Sequence, residues 1–124
     1  CYRAPEILRK TCVNPKPADI YSLAVILFML QSQGVLPHLE SQSYQGINLF
    51  EILGTNPELF WKKHCEFHRE RVVLYTEEFR ELFIGMTRND PKERLTIEEI
   101  KSSKWYAGDT YSPKELIEKM KDLI

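Results

Sequence analysis

Few side chains in this sequence are spaced so that they could do chemistry together. His64 and His68 stand four residues apart with Cys65 between them. On a helix that puts two imidazoles one turn apart, a geometry able to hold zinc. No fourth ligand is evident nearby, and Lys62, Lys63 and Arg69 add positive charge, so a solvated helix face is favoured and no metal is expected. There is no Ser/His/Asp motif, no glycine-rich phosphate loop and no basic–aromatic pattern for nucleic acid. What remains is charge. Glu6 closes Tyr2-Arg3-Ala4-Pro5-Glu6, and Arg94 closes Asp90-Pro91-Lys92-Glu93-Arg94. An arginine fork can meet a carboxylate with two parallel hydrogen bonds, but by residue type alone these read as two unrelated surface charges. Asp19 opens a stretch, 20–39, that lacks Asp, Glu, Lys and Arg.

The elements that would position these groups are mostly helical. Pro5 suits the first position of a short helix running from Glu6 to Lys10. Asn14-Pro15-Lys16-Pro17 reads as a stiff turn, because each proline biases its predecessor away from helix. Asp19 sits where an acceptor or negative charge favours a helix start. Ile20 to Leu30 is apolar on every face, which suits a helix in the middle of a core, and Gly34 ends it. Ile47 to Leu53 and Pro57 to Phe67 are helical segments broken by Gly54-Thr55-Asn56. Phe79, Leu82, Phe83 and Met86 form an i, i+3, i+4, i+7 stripe behind a Thr76 cap, with Glu77 and Glu78 in the first turn. Thr96-Ile97-Glu98-Glu99 and Ser112-Pro113-Lys114-Glu115 carry capping-box signatures. The second leads into a helix with Leu116, Ile117, Met120, Leu123 and Ile124 on one side. Arg71 to Tyr75 is the only weak strand candidate, so the fold class is mainly α, in one domain.

With 124 residues, 43% hydrophobic and 28% charged, the chain suits a single globular core. A net charge of −1 gives no field favouring nucleic acid or membrane. Cys1, Cys12 and Cys65 are scattered and odd in number, which fits free thiols in a reducing cytoplasm better than a disulfide frame. The unbroken apolar run Leu23 to Leu30 is too short for a membrane span, which needs about 20 residues. No basic-then-apolar leader is seen, and the first residue is Cys rather than Met, so a piece of a longer polypeptide is expected.

Five short matches, in order, resemble the carboxy-terminal lobe of eukaryotic protein kinases. Tyr2 to Glu6 is similar to the motif closing the activation segment, and Asp19 to Ala24 to the family's Asp-x-Trp-Ser-x-Gly. Gly34-Val35-Leu36-Pro37-His38 stands for Gly-x-x-Pro-Phe. Leu82 to Arg94 resembles an apolar helix followed by Asp-Pro-x-x-Arg, and Ser103-Lys104-Trp105-Tyr106 resembles His-Pro-Trp-Phe. Each match alone is weak; their order along the chain carries the resemblance. Tyr21 for Trp, Ala24 for Gly, and Ser103-Lys104 for His-Pro suggest a divergent subfamily.

The resemblance implies a truncated, helical kinase C-lobe over residues 1–106, with 107–124 a linker and C-terminal helix. Glu6 and Arg94 take the positions of a buried ion pair that fastens the end of the activation segment. Tyr2, Arg3 and Pro5 belong to the segment that meets protein substrate. Asp19, besides capping its helix, would hold the backbone of the catalytic loop. Ile26 and Leu30, core residues by their own pattern, match positions beneath the adenine-binding column and would form an exposed apolar patch without the rest of the domain. Tyr2 in place of the tyrosine-kinase Trp implies Ser/Thr specificity. Arg3 and Leu53-Gly54-Thr55 resemble proline-directed kinases, although the long insert which that group carries before the next helix is absent. Met29, where several arginine-directed kinases carry Glu, implies weak preference for arginine. The Gly-rich loop, the Lys–Glu pair, the catalytic Asp with its Asn, and Asp-Phe-Gly are all absent from this sequence. ATP and Mg²⁺ are therefore expected for a longer parent, a Ser/Thr phosphotransferase, with none bound by these residues. The implied partners are protein substrate and the remainder of the kinase domain. A pseudokinase scaffold and a small helical interaction module are the alternatives.

Overall fold

The computed structural model describes residues 3–37, 49–108, 110 and 112–123. Among these the elements are α1 (Pro5–Leu8), α2 (Pro15–Gln31), α3 (Leu49–Thr55), α4 (Pro57–Phe67), a 3-10 helix Arg69–Leu74, α5 (Glu77–Met86), a 3-10 helix Pro91–Glu93, α6 (Ile97–Lys101) and α7 (Pro113–Asp122). No strand occurs among the described residues, as the mainly α reading anticipates. Tyr2, His38, Ile47 and Ile124 lie outside them.

The uncharged stretch starts its helix earlier than its prolines suggest. Asn14 is the cap of α2, its side chain accepting from the Lys16 N–H at 3.1 Å. Pro15 fills the first helical position, and the N–H that Pro17 lacks is one of the first-turn donors with no intrahelical acceptor in any helix. The expected stiff turn is thus the first turn of α2. Asp19, expected as cap, sits exposed in the second turn instead. At the other end, the Gly34 N–H bonds the Met29 carbonyl at 2.8 Å and the Gln33 N–H bonds Leu30 at 3.3 Å. That is a Schellman closure, with Gln33 left-handed at φ 60° and Gly34 following at φ 107°.

Phe28 of α2 is the hub of the main core. Its ring lies 4.8 Å from Phe83, 4.9 Å from His64 and 5.2 Å from Tyr75, centroid to centroid. The α5 stripe arrives as its spacing predicts: Phe79, Leu82, Phe83 and Met86 are all buried behind the Thr76 cap, which accepts from the Phe79 N–H at 3.2 Å. The capping box of α6 is complete, with Thr96 and Glu99 bonded reciprocally at 3.2 Å. A smaller cluster, Ala4, Ala18, Tyr21 and Val25, seats α1 against α2.

Three local expectations give way to packing. Val72 and Val73 find no partner strand, and the segment proposed as one forms the 3-10 helix Arg69–Leu74. His64, expected on a solvated face, is wholly buried among Phe28, Phe60 and Trp61, with its Nε2 2.9 Å from the Tyr75 hydroxyl. That bond is what lets an imidazole sit inside an aromatic core. Helix α2, apolar all round, is not covered all round: Leu23, Ile26 and Leu30 are 38%, 46% and 72% exposed. Ile26 and Leu30 are therefore surface residues here, not core. No helix among the described residues is long and apolar enough to cross a membrane.

Candidate functional site

The site is built where both ends of the fold meet α2. Helix α1 is one turn long, too short to persist alone, and is fixed at both ends. Pro5 starts it, and the Thr11 and Lys10 N–H groups close it on the Glu6 and Ile7 carbonyls at 2.9 and 3.2 Å. Lys10 takes the left-handed position at φ 58°. The Glu6 main chain is thereby pinned and its side chain is directed inward.

Arg94 is set by a different device. Asp90 caps the 3-10 turn Pro91–Glu93 by accepting from the Lys92 N–H at 2.9 Å. The next residue, Leu95, donates its N–H to the Gly85 carbonyl at 3.0 Å. A side chain at Gly85 would place its Cβ 2.7 Å from a Leu95 methyl, so glycine is what allows this approach.

Between them the Arg94 guanidinium fills every donor position. Nη1 donates to Glu6 Oε1 and, at 3.0 Å, to the Pro17 carbonyl. Nη2 donates to Glu6 Oε2 at 2.7 Å and to the Asn89 carbonyl at 3.4 Å. Nε donates to the Arg88 carbonyl at 2.7 Å. The side chains of the pair are 0% and 6% exposed. Beneath them lies the Tyr21 ring, its centroid 5.1 Å from the guanidinium carbon. Burial alone would push the Glu6 carboxyl up, but the hydrogen bonds and charge of Arg94 outweigh it and hold the group below its ordinary value. Two residues 88 positions apart are thus brought together, and the reading of two unrelated surface charges is excluded. Arg9 adds an outer strap, 3.5 Å from Asn89 Oδ1. This is chemistry of holding, because the two charges are spent on each other.

A cleft of about 950 Å³ runs beside the pair, lined by Glu6, Asp19, Ile20, Arg94 and Ile97 among others. Asp19 is thus near the latch but not in it. Arg3 is exposed and Pro5 buried on α1, whereas Ile26 and Leu30 belong to the bare strip of α2. Sequence reasoning missed Tyr21 as the floor of the guanidinium site, the three carbonyls that complete it, and the Gly85–Leu95 approach. The aromatic two residues after Asp19 was the only signal for any of them.

A family model described as protein kinase domain matches residues 1–106. The chain belongs to the protein kinase family. Among its relatives, calcium-dependent protein kinase 1 of Oryza sativa subsp. japonica is 35% identical over 112 residues, covering 90% of this chain and 19% of that protein. CBL-interacting protein kinase 26 of the same plant is 31% identical over 105 residues, 85% of this chain and 18% of that protein. The human SNF-related serine/threonine-protein kinase is 31% identical over 112 residues, 90% of this chain and 13% of its own length. The chain therefore spans less than a fifth of the length of these relatives.

A kinase domain implies ATP and Mg²⁺, and the glycine-rich loop that cradles nucleotide phosphates in that family is not found in this sequence. The five glycines stand at 34, 46, 54, 85 and 108, with no two close enough to make a phosphate-cradling loop. Among the described residues no group of three or more His, Cys, Asp or Glu could hold a metal ion, and His64 is turned to Tyr75.

Proposed function

We propose that this chain is the substrate-lobe scaffold of a serine/threonine protein kinase. In this reading the whole polypeptide transfers the ATP γ-phosphate to protein Ser/Thr. This portion holds the end of the activation segment, with Tyr2, Arg3 and Pro5 on the substrate side. Nucleotide, Mg²⁺ and the transferring groups are handled by the remainder of the kinase domain, anchored through Asp19 and resting on Ile26 and Leu30. The observation that carries it is the Glu6–Arg94 latch, whose fully used guanidinium locks α1 onto α2 and so holds Glu6, the last residue of the matched motif, in place. The exposed Leu23–Ile26–Leu30 strip supports it as a surface made to be covered. The free thiols of Cys12 and Cys65 are compatible with a reducing cytoplasmic setting.

The test compares the 124-residue chain with the longest natural polypeptide that contains it, each given Mg²⁺, labelled ATP and a mixture of protein substrates. Label on Ser and Thr is expected from the longer polypeptide only. No transfer by the longer polypeptide would leave a binding scaffold and overturn the enzyme reading. Transfer by the 124 residues alone would overturn the division of labour.

A further inference from the structure

Helix α7 lies on the surface with none of its residues buried, and its cap, Ser112, is exposed as well. Ser112 has extended backbone, φ −64° and ψ 161°, and its hydroxyl accepts from the Glu115 N–H at 3.2 Å. Pro113 follows it. Of the seven prolines in the sequence, this one alone comes directly after a serine or threonine. Thr76 and Thr96 cap α5 and α6 in the same way, but no proline follows either of them. Both of those helices are also anchored in the core, by Phe79 and by Ile100.

An acceptor hydroxyl must enter a kinase cleft on extended chain, so it has to be accessible and its surroundings have to unwind cheaply. A ten-residue helix with no buried face is marginal by itself, and freeing its first turn costs little. Freeing the first turn of α5 would instead pull Phe79 away from Phe83 and the aromatic core. Proline after the hydroxyl has no N–H to satisfy, so it suits a kinase whose next subsite is apolar and offers no acceptor. We propose that Ser112 is a phosphorylation site for a proline-directed protein kinase, and that the phosphate it gains firms α7.

In that step the Ser112 Oγ bonds the γ-phosphorus of ATP while the bridging oxygen leaves with ADP. The hydroxyl proton passes to the base of the modifying kinase. The new group carries about −1.5 to −2 charge at pH 7. It stands at the Lys114 and Glu115 N–H groups, first-turn donors with no acceptor in the helix backbone, so its oxygens take over the cap. The helix dipole favours negative charge at this end. The Lys114 side chain adds a cation beside it, and Glu115 opposes with one anion. Lys119 and Lys121 already occupy the last turn, where the dipole favours positive charge. The phosphate thus completes an order of charge along α7 that the unmodified helix has only at its far end.

The test gives the full chain to an active mitogen-activated protein kinase with Mg²⁺ and ATP, maps the phosphate by mass spectrometry and follows amide exchange. Phosphate is expected on Ser112. Pro113→Ala keeps the hydroxyl and the helix but restores an N–H, and should slow the transfer roughly tenfold or more. Once Ser112 is phosphorylated, the α7 amides should exchange about two- to fivefold more slowly, while the α5 amides, the control for folding, stay as they were. The same treatment of Ser112→Ala should leave α7 exchange unchanged. No phosphate on Ser112, phosphate on Thr110, Ser102 or Ser103 in its place, or transfer indifferent to Pro113→Ala overturns the site. Phosphorylated Ser112 with α7 exchange unchanged or faster overturns its action on the helix.

Discussion

Replacing Glu6 by glutamine removes one charge from the latch and leaves its shape. Of the Arg94 donors, those aimed at the Pro17, Arg88 and Asn89 carbonyls keep their acceptors. The two aimed at Glu6 then face an amide that can accept at one end only. Because the arginine side chain has no exposure, the stranded charge should cost about 3–5 kcal/mol. A domain is stable by about 5–15 kcal/mol in total, so one atom's change consumes much of the margin. Arg94→Met should cost at least as much, since it strands the carboxylate and three main-chain carbonyls together. The double variant should lose less than the sum of the singles, by about 2–3 kcal/mol, because no lone charge remains. Urea unfolding measures this: at a slope of about 1.5–2 kcal/mol/M, each single change should lower the midpoint by roughly 1.5–3 M. Single variants within about 0.5 kcal/mol of the parent, or losses that simply add, would refute the buried-latch reasoning.

The pH dependence of stability should carry the same signature. Glu6 is held below its ordinary value of 4.5, so its contribution is full above that value and is lost as pH falls through the lower folded one. The gap in stability between the parent chain and Glu6→Gln should therefore shrink as pH drops below 4.5, and a gap that widens would contradict the assignment. At the alkaline end, burial pushes the Tyr75 phenol from 10 up to about 12. Stability should fall as pH rises between those values, and Tyr75→Phe should remove that slope. The same substitution leaves His64 Nε2 without its hydroxyl and should cost about 1–3 kcal/mol at neutral pH by thermal melting. Gly85→Ala forces Leu95 to move and should destabilise by about 1–3 kcal/mol, which calorimetry would detect as a lowered Tm.

The sequence was most legible where one local signal was enough. The α5 stripe, the Thr76 cap and the Thr96–Glu99 box needed only neighbours within a turn or two, and all formed. It was least legible where a distant group decides. Pro15 and Pro17 look like breakers until Asn14 is known to cap them into a first turn. His64 looks solvated because its partner, Tyr75, lies on the far side of a 3-10 helix that the valines disguise as a strand. Glu6 and Arg94 carried no mutual signal except through family resemblance, because an ion pair leaves no periodicity. The carbonyls that complete the site leave no trace in residue type at all.

The 88-position separation of the latch has a temporal side. A ribosome adding about 5–20 residues each second makes Glu6 roughly 4–18 seconds before Arg94 exists. During that wait the nascent α1 has no guanidinium to seat against, and the Tyr21 ring awaits its lid. The latch can therefore close only after translation has passed Arg94, so this contact is among the last the segment makes.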